Sequence, residues 1–266
     1  TTYGDMTEKN VGLFGCAGNF KKDEDTLILD GGDILQGSAF AYYCRQVADS
    51  PEVIADIMND CGYDYYTLGN HDFNYGLEYQ AAYRSRNNGV CVCQNITDEA
   101  GNTLFPWKLH TMKNGLRVGI VGIVTDYVNI WEKEENLKGI HITDPFEAAK
   151  NALAQMKEQT DLTICIYHGG FECDLESGET LSQTTENVGY RICKELDFDI
   201  LLTGHQHMSV PGRDISGTYT VQPCDNAKEY QYLEVTMTDH EKSIRSELRQ
   251  SDAAKGTVLA DKYRST

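Results

Sequence analysis

Two short strings in this sequence place possible metal-binding side chains beside glycine. The string G-N-H-D-F carries Asn70 and His71, and the string G-H-Q-H carries His205 and His207. Each string directly follows an apolar run that is typical of a β-strand. These four side chains are therefore predicted to lie on tight turns at strand ends, where residues from distant segments can converge.

Two further strings repeat this arrangement. Asp33 stands in L-D-G-G-D and His168 stands in C-I-Y-H-G-G, again where an apolar run ends. Carboxylate, carboxamide and imidazole groups together form a mixed nitrogen and oxygen ligand set that suits divalent metals, whereas a zinc finger would be rich in cysteine. The pattern predicts a metal-dependent hydrolase. His110, His141 and His240 have no such setting and are predicted to be structural or surface residues.

The composition predicts one sizeable globular domain that acts on a small substrate. The 266 residues are 40% apolar and 24% charged, with a formal net charge of −18. This charge argues against a groove for nucleic-acid polymers, which requires clustered lysine and arginine. It is compatible with a small phosphate substrate, because bound divalent metals reverse the local field. No apolar stretch approaches the roughly 20 residues of a membrane helix, and the first residues do not resemble a signal peptide.

The nine cysteines are predicted to be unpaired. An odd number without a C-x-x-C pair argues against a disulfide framework and against a structural zinc site. Most of these residues are therefore predicted to be buried, reduced thiols. This usage favours a reducing compartment such as the cytoplasm.

The chemistry-bearing strings must be positioned by alternating strands and helices. Strands are predicted at 26–30, 63–68, 90–94, 103–123 (a hairpin that leads into a central strand), 162–167, 200–202 and 232–238. Helices are predicted at 51–59, 77–86, 144–158 and 185–196. This order predicts two facing sheets with helices outside. The polar segment 171–187 is either a lid over the site or a solvated surface loop.

The strings G-G-D, G-N-H-D, H-G-G and G-H-Q-H, in this order, resemble those of the calcineurin-like metallophosphoesterases. The longer strings G-D-I-L-Q-G-S and G-N-H-D-F-N-Y-G-L resemble the catalytic domain of the bacterial 5′-nucleotidase and 2′,3′-cyclic-nucleotide 2′-phosphodiesterase branch. The similarity extends from about Thr26 to Thr238. It implies an α/β fold, a four-layer α/β/β/α sandwich of two mixed sheets.

The resemblance also implies a site for two divalent metal ions, which Mn, Zn, Fe or Co could fill. Asp33 would bridge the metals, and His207 would serve the second one. The first metal would be completed by three further ligands, which are Asn70, His168 and His205. His71 would be the catalytic histidine that assists the leaving oxygen, while the metals bind the phosphoryl group and activate water.

The sequence departs from this family at its first metal motif. The family opens with D-x-H, which supplies two further ligands, but no histidine precedes His71 here. The beginning, Thr1-Thr2, resembles the residues that come just before that motif. Without D-x-H, the second metal would keep only Asp33 and His207, which are too few ligands for tight binding.

A second departure concerns the residue that contacts the catalytic histidine. The 5′-nucleotidases have an aspartate three residues after it, where this sequence has Asn74. An amide can orient the imidazole ring but adds no charge. The string N-Y-G-L from Asn74 onward is more similar to the 2′,3′-cyclic-nucleotide 2′-phosphodiesterase/3′-nucleotidase subgroup. The favoured substrates are therefore 2′,3′-cyclic nucleotides or 3′-nucleotides, with a 5′-nucleotidase or broad phosphomonoesterase as the alternative.

The family branch also carries a C-terminal nucleotide-recognition domain, for which no room follows the last predicted strand. Tyr127 and Trp131 are candidates for contacting the base, although core packing is the more typical role of such residues. Two other possibilities stay open: a non-catalytic binding domain with an incomplete metal site, and one domain of a surface-attached multidomain protein. Related enzymes are often periplasmic or on the cell surface, so the resemblance and the cysteines indicate different compartments.

Overall fold

A computed structural model describes residues 12–238 and 242–264. The strands of these residues are β1 (Leu29–Asp30), β2 (Tyr65–Tyr66), β3 (Val90–Cys91), β4 (Cys93–Asp98), β5 (Thr103–Phe105), β6 (Lys108–Thr111), β7 (Arg117–Val124), β8 (Ile140–Ile142), β9 (Leu162–His168), β10 (Ile200–Thr203), β11 (Val210–Ile215), β12 (Thr218–Gln222), β13 (Glu229–Met237) and β14 (Lys242–Gln250).

The α-helices of the same residues are α1 (Leu13–Ala17), α2 (Ala39–Gln46), α3 (Glu52–Cys61), α4 (Gly76–Arg86), α5 (Val128–Trp131), α6 (Pro145–Met156), α7 (Gly189–Glu195) and α8 (Thr257–Tyr263). Short 3₁₀ turns lie at Asn70–Phe73, Glu134–Leu137 and Asp225–Ala227. The helix starts follow local chemistry: the Asp144 carboxylate accepts from the backbone N–H of Glu147, and Pro145 occupies the first turn of α6.

Two sheets carry the candidate site. The smaller is a parallel sheet in the order β1-β2-β3. The larger has six strands in the order β11-β12-β10-β9-β7-β6, of which β12, β10, β9 and β7 run parallel to one another. Strands β7 and β9 are buried on both faces, as their continuous apolar runs predict for central parallel strands.

Three apolar cores lie between four layers, which are the helices α3 and α4, the smaller sheet, the larger sheet, and the helices α6 and α7. One core joins α3 and α4 to the smaller sheet and includes Ile54, Tyr66 and Tyr83. A second lies between the two sheets, and a third joins the larger sheet to α6 and α7. The predicted α/β/β/α sandwich is confirmed. In detail, β4, β5 and β8 form a separate three-stranded sheet, and β13 pairs with β14 as an antiparallel hairpin.

Several predicted boundaries were wrong in extent. The strand predicted at 26–30 pairs only at Leu29–Asp30, because the N–H of Ile28 donates to the Asp64 carboxylate and not to a strand backbone. The strand predicted at 63–68 is likewise reduced to Tyr65–Tyr66, and the helix predicted at 185–196 begins only at Gly189. Strand β14, beyond the last predicted strand, was missed because it has few apolar residues.

All nine cysteines are free, seven of them buried and two half-buried, as predicted. Burial raises the pKa of several thiols, for example that of Cys93 to about 12, which keeps them protonated. Among the described residues, none of the helices has both the length and the apolar character that crossing a bilayer requires. The predictions for Thr1-Thr2 and His240 lie outside the described residues.

Candidate metal centre

Four polar side chains meet at the carboxyl ends of parallel strands from both sheets. Asp33 follows β1, Asn70 follows β2, His168 ends β9 and His205 follows β10. Because parallel strands point their carboxyl ends toward the same edge, loops that are distant in sequence meet there. These four residues are called the donor cluster below.

The donor atoms of this cluster lie at the spacing of ligands around one cation. The Asn70 Oδ1 is 3.1 Å from His168 Nε2 and 3.0 Å from His205 Nδ1. The Asp33 Oδ2 is 3.3 Å from His168 Nε2. Metal–ligand distances of about 2.0–2.2 Å put neighbouring ligands of a tetrahedral or octahedral site about 2.8–3.6 Å apart. The donor cluster therefore fits a divalent metal.

The amide oxygen of Asn70 is essential to this fit. Among the described residues, histidine, cysteine, aspartate and glutamate side chains alone form no group of three that could hold a metal ion. The cluster is complete only with Asn70, because its oxygen faces both imidazoles. A neutral amide also leaves the positive charge of a bound cation available to an anionic substrate.

The second ring nitrogen of each histidine in the cluster already has an acceptor. His168 Nδ1 is 2.6 Å from the carbonyl oxygen of Gly31, and His205 Nε2 is 3.0 Å from a carboxylate oxygen of Glu186. Such partners fix the tautomer of a metal-binding imidazole and direct the lone pair of its other nitrogen toward the metal. Both rings thus have the support that metal-ligating histidines have in proteins.

The electrostatics of the cluster favour positive charge between its members. Burial opposes protonation of His168, but attraction to the Asp33 carboxylate, the hydrogen bonds to Asp33 and to the Gly31 carbonyl, and the charge of Asp72 together outweigh burial and raise the pKa of His168 to about 9. Burial would raise the pKa of Asp33, but attraction to His168 and His71 and the hydrogen bonds from both residues together hold it well below its ordinary value. Burial and the neighbouring His168 lower the pKa of His205, which keeps its imidazole neutral.

Asp72 holds the two loops of Asp33 and Asn70 together. Its buried carboxylate accepts four backbone hydrogen bonds of 2.8–2.9 Å, from the N–H groups of Asp33, Ile34, Leu35 and Gly69. The sequence places this aspartate inside G-N-H-D, but its role was not predicted. The one feature in the sequence that could have indicated this role is its position directly after His71. A carboxylate buried at that position requires hydrogen-bond donors such as these backbone N–H groups.

His71 lies exposed beside the cluster and does not belong to it. Its backbone N–H donates to Asp33 Oδ1 at 2.8 Å, and its ring Nδ1 is 2.8 Å from Asn74 Oδ1. The predicted contact with Asn74 is therefore present. Behind it, Asn74 Nδ2 donates to Glu132 Oε2 at 2.7 Å, a partner that was not predicted.

His207 lies exposed on the same turn as His205 and lines a cavity of about 940 Å³ that also reaches the donor cluster. Within the described part of the chain it forms no hydrogen bond or ion pair with the four cluster residues. Its charge acts instead on Asp225, whose pKa it helps to lower after the larger effect of Lys228. The structure thus brings together four of the five predicted ligands.

Two further residues near the cluster were not assigned to it from sequence. The segment 171–187 supplies Glu186, so this polar segment contacts the site through His205. The Trp131 ring stacks on His205 with 5.4 Å between centroids and is 47% exposed, so it is not a core residue.

His110 contacts the Tyr65 hydroxyl at 3.0 Å, in agreement with a structural role.

Comparison with protein families gives one match that covers most of the chain: the family described as calcineurin-like phosphoesterase matches residues 11–209. Members of this family typically use divalent metals. The trifunctional nucleotide phosphoesterase protein YfkN of Bacillus subtilis is 28% identical over 238 residues, which are 81% of this chain and 16% of that protein. The 2′,3′-cyclic-nucleotide 2′-phosphodiesterase/3′-nucleotidase of Yersinia enterocolitica is 28% identical over 218 residues, 77% of this chain and 32% of that protein.

The chain thus spans less than one third of the length of either relative. Among solved structures, a Staphylococcus aureus protein determined under the name 5′-nucleotidase superposes with a TM-score of 0.85 at 28% identity, covering 98% of this chain and 55% of that one. The YfkN structure from Bacillus subtilis superposes with a TM-score of 0.74 at 23% identity, covering 90% of this chain and 83% of that one. These superpositions agree with the sandwich described above.

Proposed function

Because this chain belongs to the calcineurin-like phosphoesterase family, we propose that it is a divalent-metal-dependent hydrolase of nucleotide phosphoesters. One observation carries the proposal: Asp33 and Asn70 from the smaller sheet meet His168 and His205 from the larger sheet at 3.0–3.3 Å. In both imidazoles the nitrogen that points away from the cluster has an acceptor, which directs the other nitrogen toward the centre of the cluster. A metal site requires this arrangement, whereas a cluster with only a structural role does not.

Asp33, Asn70, His168 and His205 would hold one divalent metal, and His207 with Asp33 would contribute to a second. The ligand set suits Mn, Zn, Fe or Co, and affinity order alone does not select among them. When bound, such cations polarise the phosphoryl group and lower the pKa of water. The remaining chemistry falls to side chains of this chain.

His71 is the proposed proton donor to the leaving oxygen. Its ring lies beside the cluster, with Nδ1 2.8 Å from Asn74 Oδ1, so Nε2 is the ring nitrogen that we propose faces the substrate. In its protonated form the ring carries a hydrogen on both nitrogens, so Nδ1–H can donate to Asn74 while the Nε2 proton passes to the departing oxygen and leaves the neutral Nδ1–H form behind. A positioned general acid of this kind contributes about 10²–10⁴ in rate. Asn74 orients the ring without adding charge.

The proposed substrates are 2′,3′-cyclic nucleotides and 3′-nucleotides. The string N-Y-G-L that begins at Asn74 supports this class, and so do the names of the Yersinia enterocolitica relative and of others at similar identity. A 5′-nucleotidase is the second candidate, because the Staphylococcus aureus structure that covers nearly all of this chain bears that name.

The test measures metal content and hydrolysis together. We expect the protein to bind Mn²⁺ by elemental analysis and to hydrolyse 2′,3′-cyclic AMP faster than 5′-AMP. The variant His168→Ala should lose more than about 100-fold in rate, because loss of a merely supporting partner already costs about 10–100-fold. The control His141→Ala changes an exposed histidine in β8 and should keep full activity.

Circular dichroism should show that both variants are folded. Full activity of His168→Ala would contradict the proposed site. Absence of hydrolysis by a metal-loaded wild-type protein would contradict the proposed function and favour a binding role. A higher rate on 5′-AMP would instead favour the second candidate.

A further inference from the structure

A chain of three side chains runs from His71 away from the donor cluster. His71 Nδ1 is 2.8 Å from Asn74 Oδ1, and Asn74 Nδ2 is 2.7 Å from Glu132 Oε2. The other carboxylate oxygen, Glu132 Oε1, accepts from Asn136 Nδ2 at 2.9 Å and from the backbone N–H of Lys133 at 2.8 Å. The carboxylate of Glu132 is thus held from two directions.

This arrangement admits only one assignment of donors and acceptors. An ionised carboxylate accepts hydrogen bonds and donates none, so the NH₂ group of Asn74 must face Glu132. The carbonyl oxygen of Asn74 must then face His71, and His71 Nδ1 must carry the hydrogen. Although burial acts in the opposite direction, hydrogen bonds from Asn74, Lys133 and Asn136 lower the pKa of Glu132, which keeps it ionised at neutral pH.

We propose that Glu132 is a positioning residue that, through the Asn74 amide, keeps the hydrogen of the neutral His71 ring on Nδ1, so that Nε2 is the nitrogen that takes up a proton and passes it to the leaving oxygen. This inference rests on the proposed function and adds a residue to its machinery. Asn136 supports the same arrangement, because its amide also donates to the backbone carbonyl oxygen of Asn74 at 3.2 Å.

The proposal explains how a neutral amide can serve next to His71. An asparagine alone can present either its oxygen or its NH₂ group to an imidazole, and the second orientation would select the wrong tautomer. Glu132 removes this ambiguity. The negative charge that an aspartate would put directly on the ring lies one hydrogen bond further away, on a different element of the chain.

The test exchanges the amide and the carboxylate. In Glu132→Gln the side chain keeps its size but can face Asn74 with either its oxygen or its NH₂ group. In the double variant Asn74→Asp/Glu132→Gln, the new amide at position 132 can donate to the new carboxylate at position 74. That carboxylate can only accept from His71 Nδ1, so the original tautomer is restored. The matched control is Glu135→Gln, since Glu135 is exposed and its pairing with Lys133 is long, at 3.7 Å.

Two kinds of measurement are made: steady-state kinetics, which give kcat and KM on 2′,3′-cyclic AMP, and NMR in alkaline buffer, which gives the ring-nitrogen chemical shifts of His71. We expect Glu132→Gln to lower kcat about 10-fold, in the range for loss of a supporting partner, with little change in KM. Its His71 signals should indicate mixed tautomers. The double variant should regain most of the lost kcat and the Nδ1–H signature, and the control should match the wild type.

Wild-type kcat in Glu132→Gln, or a reduced kcat with an unchanged tautomer, would overturn the proposal. So would a double variant that is no better than the single one. The NMR measurement does not depend on activity, so it still decides the tautomer if the wild-type protein hydrolyses none of these substrates. That outcome would contradict the proposed function but not the orientation of His71.

Discussion

The two turns that carry the histidine strings present similar side chains but are held in different ways. The first histidine turn, residues 69–73, is fixed from within by the buried carboxylate of Asp72, which binds its own turn and the loop of Asp33. Its glycine also has no spare room. A Cβ on Gly69 would lie 2.2 Å from Asp33 Oδ1 and 2.7 Å from His168 Cε1.

The second histidine turn, residues 204–207, is held from outside. The side chain of Gln206 accepts from the N–H of Phe171 at 2.7 Å and donates to its carbonyl oxygen at 2.9 Å. His205 and His207 both have left-handed backbones, with φ of 68° and 56°, a conformation that costs about 1–3 kcal/mol unless its surroundings stabilise it. The partners of Gln206 and of His205 Nε2, which are Phe171 and Glu186, lie in the segment 171–187.

The difference teaches that one half of the candidate site is part of the core while the other half depends on a surface segment. The first histidine turn and the loop of Asp33 should unfold only with the smaller sheet. The second should respond to changes in 171–187 without loss of the fold. Three substitutions test this contrast.

The largest effect is expected for Gly69→Ala. The new methyl group would displace the Asp33 carboxylate and the His168 ring, since both lie closer than any Cβ contact allows. We expect a loss of about 1–3 kcal/mol in the free energy of unfolding, as for other overpacked sites, and a rate loss of about 100-fold from misplaced catalytic groups. Denaturant unfolding and initial rates measure both. A stable, active variant would show that this turn is not fixed by packing.

An intermediate effect is expected for Gln206→Leu. The leucine fills similar space but leaves the N–H and carbonyl oxygen of Phe171 without their side-chain partner. We expect a loss of about 1–2 kcal/mol in the free energy of unfolding and a rate loss of about 10-fold through His205. Denaturant unfolding and initial rates again measure the two effects.

The control for this variant is Gln159→Leu, because the side chain of the exposed Gln159 donates to the backbone carbonyl of Gln155 in its own helix end, far from the site. It should leave the rate unchanged. If Gln206→Leu unfolded the protein, or lowered the rate as strongly as Gly69→Ala, the two turns would not differ in the way described.

The sequence allowed the family, the sandwich and the candidate ligands to be predicted, because each depends on short-range patterns. The continuous apolar runs of β7 and β9 identify central strands, and the glycine-flanked strings identify Asp33, Asn70 and the histidines. Each candidate ligand carries its own local signal: an apolar run, a glycine and a polar side chain.

The supporting residues could not be predicted in this way. Asp72 acts on N–H groups more than 30 residues away, and Glu132 and Glu186 stand in polar stretches that resemble solvated surface. Their roles arise only when the chain folds and brings a carboxylate to a ring nitrogen or an amide. Strand β14 was missed for a different reason, because its few apolar residues do not mark it as a strand and only its pairing with β13 does.

The smallest effect is expected for Gly204→Ala, although this glycine occupies the same place in its string as Gly69. Its φ lies outside the left-handed region, and the nearest atom to an added Cβ is His168 Nδ1 at 3.9 Å, an ordinary contact. We expect the free energy of unfolding to stay equal or to rise by up to about 1 kcal/mol, because alanine restricts the unfolded chain. The rate on 2′,3′-cyclic AMP should change by no more than about twofold, the equivalent of roughly 0.4 kcal/mol. A folded variant with a large rate loss would mean that the free space at Gly204 is where the substrate or a cation approaches the backbone, so that the two glycines would be required for different reasons: one by the packed protein and one by its ligand.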